Sequence, residues 1–303
     1  MGQVEKDIWT IFKSLSWAEA YLKRFKIPEA KIDAEYLLSH ILKYKRQKLY
    51  LNSEKQLTNM EINTFKGFIQ RRSKREPIQY IIGEEEFRGL IFKVTRDVLI
   101  PRPETELVVE EAVKIIEGQR AKGKGQKINI IDLCTGSGCI AVSAAKESPD
   151  SKIYATDISE KALSVAKENA ERNGVENKIT FLQGSFFEPL KNLGLEEKID
   201  IILSNPPYVS KKDMEKLQPE IKEYEPHLAL YAGEDGLDSY RKIIPEAFAY
   251  LKKGGCLILE IGYGQAEGVK ELFAQYPAYG KTEIIKDLSG IERVVEAKKA
   301  LIP

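Results

Sequence analysis

The 303-residue sequence has few of the residues that build metal centres and disulfide frameworks, because it contains only three cysteines and two histidines. Cys134, Cys139 and Cys256 form no C-x-x-C pair, and His40 and His227 add too few ligands for a zinc site. We therefore expect no metal centre and no disulfide framework. The same scarcity is typical of a reducing, cytoplasmic compartment.

The sequence also lacks long hydrophobic runs and an excess of charge of either sign. Its mean hydropathy is −0.34, and no apolar run is long enough to span a bilayer, which argues against a membrane protein. The 47 lysines and arginines nearly balance 46 aspartates and glutamates. This balance argues against binding nucleic acid or a membrane by bulk electrostatics alone. Acids and bases are mixed in residues 1–10, so we expect no signal peptide there.

The near-zero charge is an average over two unlike parts. Residues 1–86 contain 16 basic and 12 acidic residues, a formal charge of +4, and the remainder carries −3. Basic clusters in the first part indicate either solvated helix ends or a docking surface for an acidic or RNA-associated partner. The clusters are Lys43, Lys45, Arg46 and Lys48, and then Arg71, Arg72, Lys74 and Arg75.

The first part has the patterns of a small helical domain. Apolar residues recur every three or four positions in residues 33–43, which predicts one face of a helix. Thr58 and Glu61 have capping-box spacing ahead of a second apolar stripe, and a weaker pattern covers residues 7–25. We predict an all-helical domain over residues 1–75, followed by a β-hairpin linker over residues 76–94.

The rest of the chain alternates strand and helix patterns. This alternation predicts an α/β fold over residues 95–303, with a doubly wound, Rossmann-like, mostly parallel sheet and an antiparallel C-terminal strand. Ligands of such sheets bind at the carboxyl ends of the strands. Residues 122–125 are typical of a surface turn. The predicted strands are residues 128–133, 152–156, 179–182, 199–203 and 256–261, with an antiparallel pair at residues 282–286 and 293–297.

A glycine-rich turn follows the first of these strands. Gly136, Gly138 and Ala141 fit the G-x-G-x-x-A pattern, in which backbone N–H groups can approach a ligand closely. Asp157 lies 21 positions after Gly136, where an acid binds ribose hydroxyls. These residues alone leave a nicotinamide dehydrogenase open as an alternative.

Two further features separate the cofactor classes. Asp132, just before the turn, would repel a pyrophosphate but suits ordering the loop or meeting a cationic ligand. Asn205-Pro206-Pro207-Tyr208 follows the fourth strand. Its two prolines remove two donors, so carbonyl groups there can accept hydrogen bonds from a substrate NH₂ group. Tyr208 offers a flat surface to a planar group.

These residues resemble the S-adenosylmethionine-dependent methyltransferases that act on amide or exocyclic amino nitrogens. A wider set of segments resembles the HemK/PrmC family, the peptide-chain release factor N5-glutamine methyltransferases, over essentially the whole chain. Those segments are residues 76–83, 100–106, 132–138, 204–209, 225–226, 236–237 and 259–262.

The resemblance implies transfer of a methyl group from S-adenosylmethionine to the glutamine amide of the GGQ motif in release factors, which supports translation termination. The product would be S-adenosylhomocysteine, and the helical domain would hold the release factor. We expect a monomer. We also expect no nucleic acid substrate, because the catalytic part carries a formal charge of −3. A nucleic-acid amino methyltransferase and a dehydrogenase-like nucleotide-binding protein remain the competing interpretations.

The resemblance also assigns site residues. Cys134 to Gly138 would wrap the methionine part of the cofactor, Asp157 would take the ribose hydroxyls, and Phe186 or Phe187 would lie against adenine. Ser185 stands where the family commonly has an acid. The full cofactor set is Asp132, Cys134, Thr135, Gly136, Ser137, Gly138, Asp157, Phe186 and Asn205. The substrate set is Asn205, Pro206, Pro207 and Tyr208, of which Asn205, Pro206 and Tyr208 would be catalytic.

Overall fold

The computed structural model describes residues 8–121 and 127–300. The surface turn predicted at residues 122–125 lies outside the described residues. The chain divides into two compact units, at Gly83 rather than at residue 75 or 94. The first unit ends at Gly83 and also includes Pro219–Tyr224, a segment taken from much later in the sequence.

The first unit is helical, as predicted. Its residue 33–43 stripe lies on the second helix, and Thr58 and Glu61 form the expected capping box at the start of the fourth. The core between the helices includes Leu37, Leu38 and Phe65. The N-terminal helices are α1 (Ile11–Arg24), α2 (Ala30–Leu42), α3 (Arg46–Leu51), α4 (Asn59–Ser73) and α5 (Ile78–Ile82).

Helix α5 shows that the predicted hairpin linker is wrong in its first half. The hairpin is confined to β1 (Glu84–Phe87) and β2 (Leu90–Lys93), which pair antiparallel. Pro77 is the N-cap of α5, and Gly83 ends the helix in the left-handed conformation, with φ of 81°. These start and stop signals outweigh the β-propensity of the isoleucines between them.

The second basic cluster is partly internal structure rather than a solvated helix end. Arg71 forms a bidentate ion pair with Glu76, with N···O distances of 2.8 and 2.9 Å. Arg72 is buried and contacts Asp33 at 2.6 Å and Glu220 at 3.0 Å. Because their guanidinium groups are engaged within the unit, Arg71 and Arg72 are poor candidates for a docking surface.

The second unit contains the predicted doubly wound sheet of seven strands. The order is β5-β4-β3-β6-β7-β9-β8, with β9 antiparallel to both of its neighbours and the other pairs parallel. The predicted antiparallel pair is confirmed as β8 and β9. The strands are β3 (Ile128–Leu133), β4 (Ser151–Asp157), β5 (Ile179–Gln183), β6 (Ile199–Ser204), β7 (Leu251–Glu260), β8 (Glu283–Lys286) and β9 (Glu292–Lys298).

Apolar residues on both faces of this sheet are buried against helices. Ile130 belongs to the core on one face with α6, α7 and α8, while Ile131 belongs to the core on the other with α11 and α12. Such alternation follows from the two-residue period of a strand. The helices are α6 (Glu106–Ala121), α7 (Cys139–Glu147), α8 (Glu160–Arg172), α9 (Lys211–Met214), α10 (Pro219–Tyr224, in the first unit), α11 (Asp238–Tyr250) and α12 (Ala266–Ala274).

Candidate active site

A cavity of about 330 Å³ lies in the second unit, beyond the carboxyl ends of the parallel strands. Most of the predicted site residues line it: Cys134, Thr135, Gly136, Ser137, Asp157, Phe186, Asn205 and Pro207. Within the described part of the chain, the lining does not include Asp132, Gly138, Pro206 or Tyr208. The structure thus brings eight of the twelve predicted site residues to one cavity, and the substrate contacts of Pro206 and Tyr208 stay predictions.

The glycine loop between β3 and α7 needs both of its glycines. Gly136 and Gly138 have φ of 54° and 81°, a region that side chains disfavour. A Cβ atom on Gly138 would also lie 3.1 Å from the Cβ of Ala166 in α8. From α8, the buried Asn169 donates a hydrogen bond of 2.9 Å to the carbonyl of Ser137. Asn169 therefore holds the glycine loop in place, which the glycine motif itself does not predict.

Asp157 ties this loop to the next helix while facing the cavity. Its Oδ2 accepts a hydrogen bond from the Gly136 N–H, and its Oδ1 accepts one from the Ser159 N–H, both at 2.9 Å. Burial raises the pKa of this carboxyl, and the backbone donors oppose the rise. Each carboxylate oxygen can accept more than one hydrogen bond, so Asp157 retains acceptor capacity for ribose hydroxyls.

Asp132 lies beneath the loop rather than in the cavity wall. It is fully buried, and its Oδ2 accepts a hydrogen bond of 2.6 Å from the Thr135 hydroxyl. Burial raises the pKa of Asp132 to about 7, while the Thr135 hydroxyl opposes the rise. Of the two roles considered for Asp132, its hydrogen bond to Thr135 supports the ordering of the loop, and its contact with a cofactor stays a prediction.

Phe186 and Phe187 occupy different environments. Phe186 lines the cavity, and its carbonyl accepts a hydrogen bond of 2.9 Å from the Thr156 hydroxyl. Phe187 is fully buried and stacks on Tyr250, with ring centroids 4.9 Å apart. Phe186 therefore faces the cavity, whereas Phe187 belongs to the core, and a contact of Phe186 with adenine stays a prediction. Ser185 also lines the cavity.

Asn205 is held by a directional chain of hydrogen bonds. Its Nδ2 donates to the Thr105 hydroxyl at 3.0 Å, and that hydroxyl donates to Oε2 of Glu260 at 2.6 Å. Asn205 lines the cavity, and because its amide nitrogen is engaged, Oδ1 is the side-chain atom left to accept a further hydrogen bond. Oε1 of Glu260 accepts from the Tyr208 hydroxyl at 3.3 Å.

Thr105 and Glu260 hold Asn205 through hydrogen bonds, and the sequence motifs do not identify them. Both are almost completely buried, although each lies in a segment that carries the family resemblance. The sequence does carry a signal at Glu260, because an acid directly follows the apolar run of residues 256–259 at the ligand-binding edge of the sheet. Burial raises the pKa of Glu260 to about 7, and the Thr105 and Tyr208 hydroxyls oppose the rise.

The loop after β6 is also fixed through its carbonyl groups. The Pro207 carbonyl accepts a hydrogen bond of 2.7 Å from the Ser239 hydroxyl, and the Tyr208 carbonyl accepts one of 2.9 Å from Gln265 Nε2. Tyr208 therefore lies behind Asn205, with its hydroxyl towards Glu260. A flat contact between the Tyr208 ring and a substrate stays a prediction.

Charges of both signs lie around the cavity. Asp97, Asp157 and Asp238 line it together with Arg102 and Lys242. This mixed lining suits a ligand that carries charges of both signs. Among residues 8–121 and 127–300, no group of three or more His, Cys, Asp and Glu side chains is arranged to hold a metal ion. In the same part of the chain, no helix combines the length and apolar character needed to cross a membrane.

Comparison with known proteins first defines the class. Residues 124–293, more than half of the chain, match a family model described as a methyltransferase domain. A human methyltransferase 10 domain containing protein shares the fold, with a TM-score of 0.52 and 17% identity, over 71% of this chain and 90% of that one. The larger unit is therefore a methyltransferase domain.

The remaining comparisons define the family. Residues 13–83 match the model described as the PrmC N-terminal domain. A release factor glutamine methyltransferase from Geobacter sulfurreducens is 44% identical over 95% of this chain and 96% of its own length. One from Thermodesulfovibrio yellowstonii is 45% identical over 88% and 92%, respectively. This chain belongs to the release factor glutamine methyltransferase family, which confirms the resemblance in the sequence.

Proposed function

We propose that this chain transfers the methyl group of S-adenosylmethionine to the side-chain amide nitrogen of the GGQ glutamine in a peptide-chain release factor. S-adenosylhomocysteine is the second product. The family membership supports this reaction. The observation that carries it is the hydrogen bonding of Asn205, a residue of the cavity lining whose amide nitrogen is bound to Thr105, which leaves its oxygen to accept from a substrate. A substrate NH₂ group needs such an acceptor.

The residues around the cavity fit the proposed cofactor. The loop from Cys134 to Ser137 would hold its methionine part, Asp157 its ribose hydroxyls, and Phe186 its adenine ring. The carboxylates in the lining suit a cationic sulfonium, which they would attract. When bound, S-adenosylmethionine supplies an electrophilic methyl group.

The protein's own part in the reaction is to prepare the amide nitrogen. A glutamine amide is a poor nucleophile, because its nitrogen shares the lone pair with the carbonyl group. Asn205 Oδ1 and the Pro206 carbonyl would each accept one N–H bond of the substrate amide, which increases electron density on nitrogen and fixes its direction. The new N–C bond would form as the S–C bond of the sulfonium breaks, with its electron pair going to sulfur, and the nitrogen would then release its extra proton to solvent.

The decisive experiment locates the transferred methyl group. The full-length protein is offered methyl-labelled S-adenosylmethionine with release factor, duplex DNA or ribosomal RNA, and labelled residues are identified by mass spectrometry. We expect label on the GGQ glutamine and none on a control release factor in which that glutamine is replaced by glutamate. Label on DNA or RNA, with none on the release factor, would overturn the proposal.

We further propose that the helical domain predicted over residues 1–75 docks the release factor. The first unit exposes large apolar side chains, including Phe12, Leu51 and Met60, of which Leu51 is 85% exposed. Exposed apolar groups of this size mark candidate contact surfaces. They also lie in the part of the chain that matches the PrmC N-terminal domain, apart from Phe12.

The docking proposal is tested with the double variant Leu51→Glu, Met60→Glu. We expect its KM for intact release factor to rise about tenfold or more, because two apolar contacts become charged. Methylation of a short glutamine peptide, which lacks the rest of the release factor, should stay unchanged. The control is Leu288→Glu, at an exposed position of the second unit. An unchanged KM for intact release factor in the double variant would contradict the docking role.

We also propose that the protein works in the cytoplasm as a monomer and that nucleic acid is not its substrate. The charge of −3 over residues 87–303 supports the last point, because phosphate binding favours a basic surface. Light scattering of the purified protein at micromolar concentration measures the oligomeric state, and a stable dimer mass would contradict the proposal of a monomer.

A further inference from the structure

The hydrogen bonds around Glu260 join two parts of the Asn-Pro-Pro-Tyr segment to one buried carboxyl group. One oxygen of Glu260 accepts from Thr105, which in turn accepts from Asn205, and the other oxygen accepts from Tyr208. Glu260 is 2% exposed and lies at the end of β7, next to the strand that leads into Asn205. A single side chain thus fixes the segment at its first and last residues.

The direction of each hydrogen bond in this chain is determined by the group at its end. A carboxylate only accepts, so the single proton of the Thr105 hydroxyl is donated to Glu260. The Thr105 oxygen must then accept, and only the NH₂ end of the Asn205 amide can donate to it. The oxygen of Asn205 is consequently turned to the opposite side, at the cavity wall.

We propose that Glu260, acting through Thr105, is a positioning residue that orients the Asn205 amide with its oxygen towards the substrate glutamine. This inference rests on the proposed function, because it concerns how the same glutamine amide is recognised. Glu260 does not touch the substrate. Its effect is to keep an acceptor, and not a donor, where the substrate NH₂ group binds.

Protonation of Glu260 would reverse this arrangement. A protonated carboxyl can donate to Thr105, whose hydroxyl would then donate to Asn205 and draw the amide oxygen away from the substrate. Because burial raises the pKa of Glu260 to about 7, the change falls near neutral pH. Other titratable groups around Glu260 are Glu104, which raises its pKa, Arg293, which lowers it, and the neighbouring Cys139, Tyr208 and Tyr240. Turnover should therefore decline as pH falls below about 7.

The test compares Glu260→Gln with the wild type in the release factor assay. We expect kcat to fall about 10- to 100-fold, since a misdirected amide misplaces the reacting nitrogen. The KM for release factor and calorimetrically measured cofactor binding should stay within about twofold. The decline of kcat below pH 7 should disappear. Glu296→Gln is the matched control, because it removes a buried glutamate of the neighbouring strand β9 and should keep the wild-type profile.

Thr105 keeps the inference testable if Glu260→Gln does not fold. Thr105→Val removes the hydroxyl at nearly constant volume and should reproduce the kcat loss, whereas Thr105→Ser should restore most of the activity. Thr105→Val with wild-type kcat, or Glu260→Gln with an unchanged pH profile, would overturn the inference. If the wild type itself places no label on the release factor glutamine, the proposed function fails instead, so the two failures are distinguishable.

Discussion

Buried carboxyl groups have different partners at two places in the molecule, beside Arg72 in the helical unit and at Asp132 and Glu260 in the methyltransferase unit. In the helical unit, Arg72 is buried between the carboxylates of Asp33 and Glu220, so opposite charges accompany one another. In the methyltransferase unit, the hydrogen-bond partners of Asp132 and Glu260 are the hydroxyl groups of threonine and tyrosine. In the first arrangement a cation balances the charge of the carboxylates, whereas in the second the hydrogen-bond partners are neutral.

This contrast distinguishes a buried ion-pair cluster that stabilises the fold from the carboxyl groups that lie beneath the cavity. A buried carboxyl group without a nearby cation is costly, because desolvation disfavours its ionised form. The raised pKa of about 7 at both Asp132 and Glu260 expresses that cost. Both residues lie directly beneath loops that shape the cavity. Burial of a carboxyl group against hydroxyl partners thus occurs at Asp132 and Glu260, beneath the cavity loops, in line with the general clustering of perturbed carboxyl groups at active sites.

The strongest way to break the comparison is Arg72→Ala, which leaves the buried Asp33 without its cation and leaves Glu220 paired with Arg75 alone. We expect the free energy of unfolding to fall by about 3–5 kcal/mol, as for other broken buried ion pairs. Urea unfolding of the full chain measures this loss, and Lys74→Ala, at an exposed position beside it, is the control. A loss no larger than in Lys74→Ala would show that the paired charges do not stabilise the helical unit.

Asn205→Ala tests the other side of the comparison, where an effect on activity should not be accompanied by loss of stability. Turnover should fall by about 100- to 1000-fold, the usual cost of removing one preorganised polar group. Cofactor affinity, measured by calorimetry, and the urea midpoint should change little. Near-normal turnover on release factor would remove Asn205 from the mechanism.

Asp132→Asn should have a smaller effect, on the pH dependence of the free energy of unfolding, and it tests the energetic cost of ionising the buried Asp132 carboxyl. The folded-state pKa of about 7 exceeds the ordinary value of 3.8, so the folded protein holds a proton that the unfolded chain releases between these pH values. Stability contributed by this proton is present at low pH and is lost as pH rises through about 7, by up to about 1.4 kcal/mol per pH unit. In Asp132→Asn this decline should disappear, leaving the contribution of Glu260.

Urea unfolding at pH 5, 6, 7 and 8 measures this difference. Asp150→Asn, at an exposed position before β4, serves as the control and should follow the wild type. If the curves of Asp132→Asn and the wild type run parallel over the whole interval, the carboxyl group of Asp132 is not protonated in the folded protein near neutral pH.

Local patterns in the sequence were sufficient for most of the fold. The strands and the capping box at Thr58 depend on neighbours within a few residues, and the structure contains them. The cavity positions of Asp157 and Asn205 also follow, because the carboxyl ends of parallel strands meet at one edge. Helix α5 was misjudged because the three isoleucines of its sequence favour strands, while Gly83 and Pro77 set the helix boundaries.

The hydrogen bonds and ion pairs that support the site and the helical core could not be predicted from such local patterns. Thr105 and Glu260 are hydrogen-bonded although 155 positions separate them, and Asn205 lies 100 positions from Thr105. Arg72 is similarly engaged by Glu220, 148 positions away. A motif identifies residues by spacing along the chain, whereas these partners are brought together only by the order of the strands and the packing of helices.

The placement of Pro219–Tyr224 in the first unit has a consequence for attempts to exchange that unit between relatives. The chain passes between the units three times, at Gly83 and at both ends of this segment, so the helical unit is not encoded by one continuous stretch. A chimera that transplants only the residues up to Gly83 would separate Arg72 and Arg75 from the native Glu220. Recombination at this boundary would therefore need to carry the short internal segment with it.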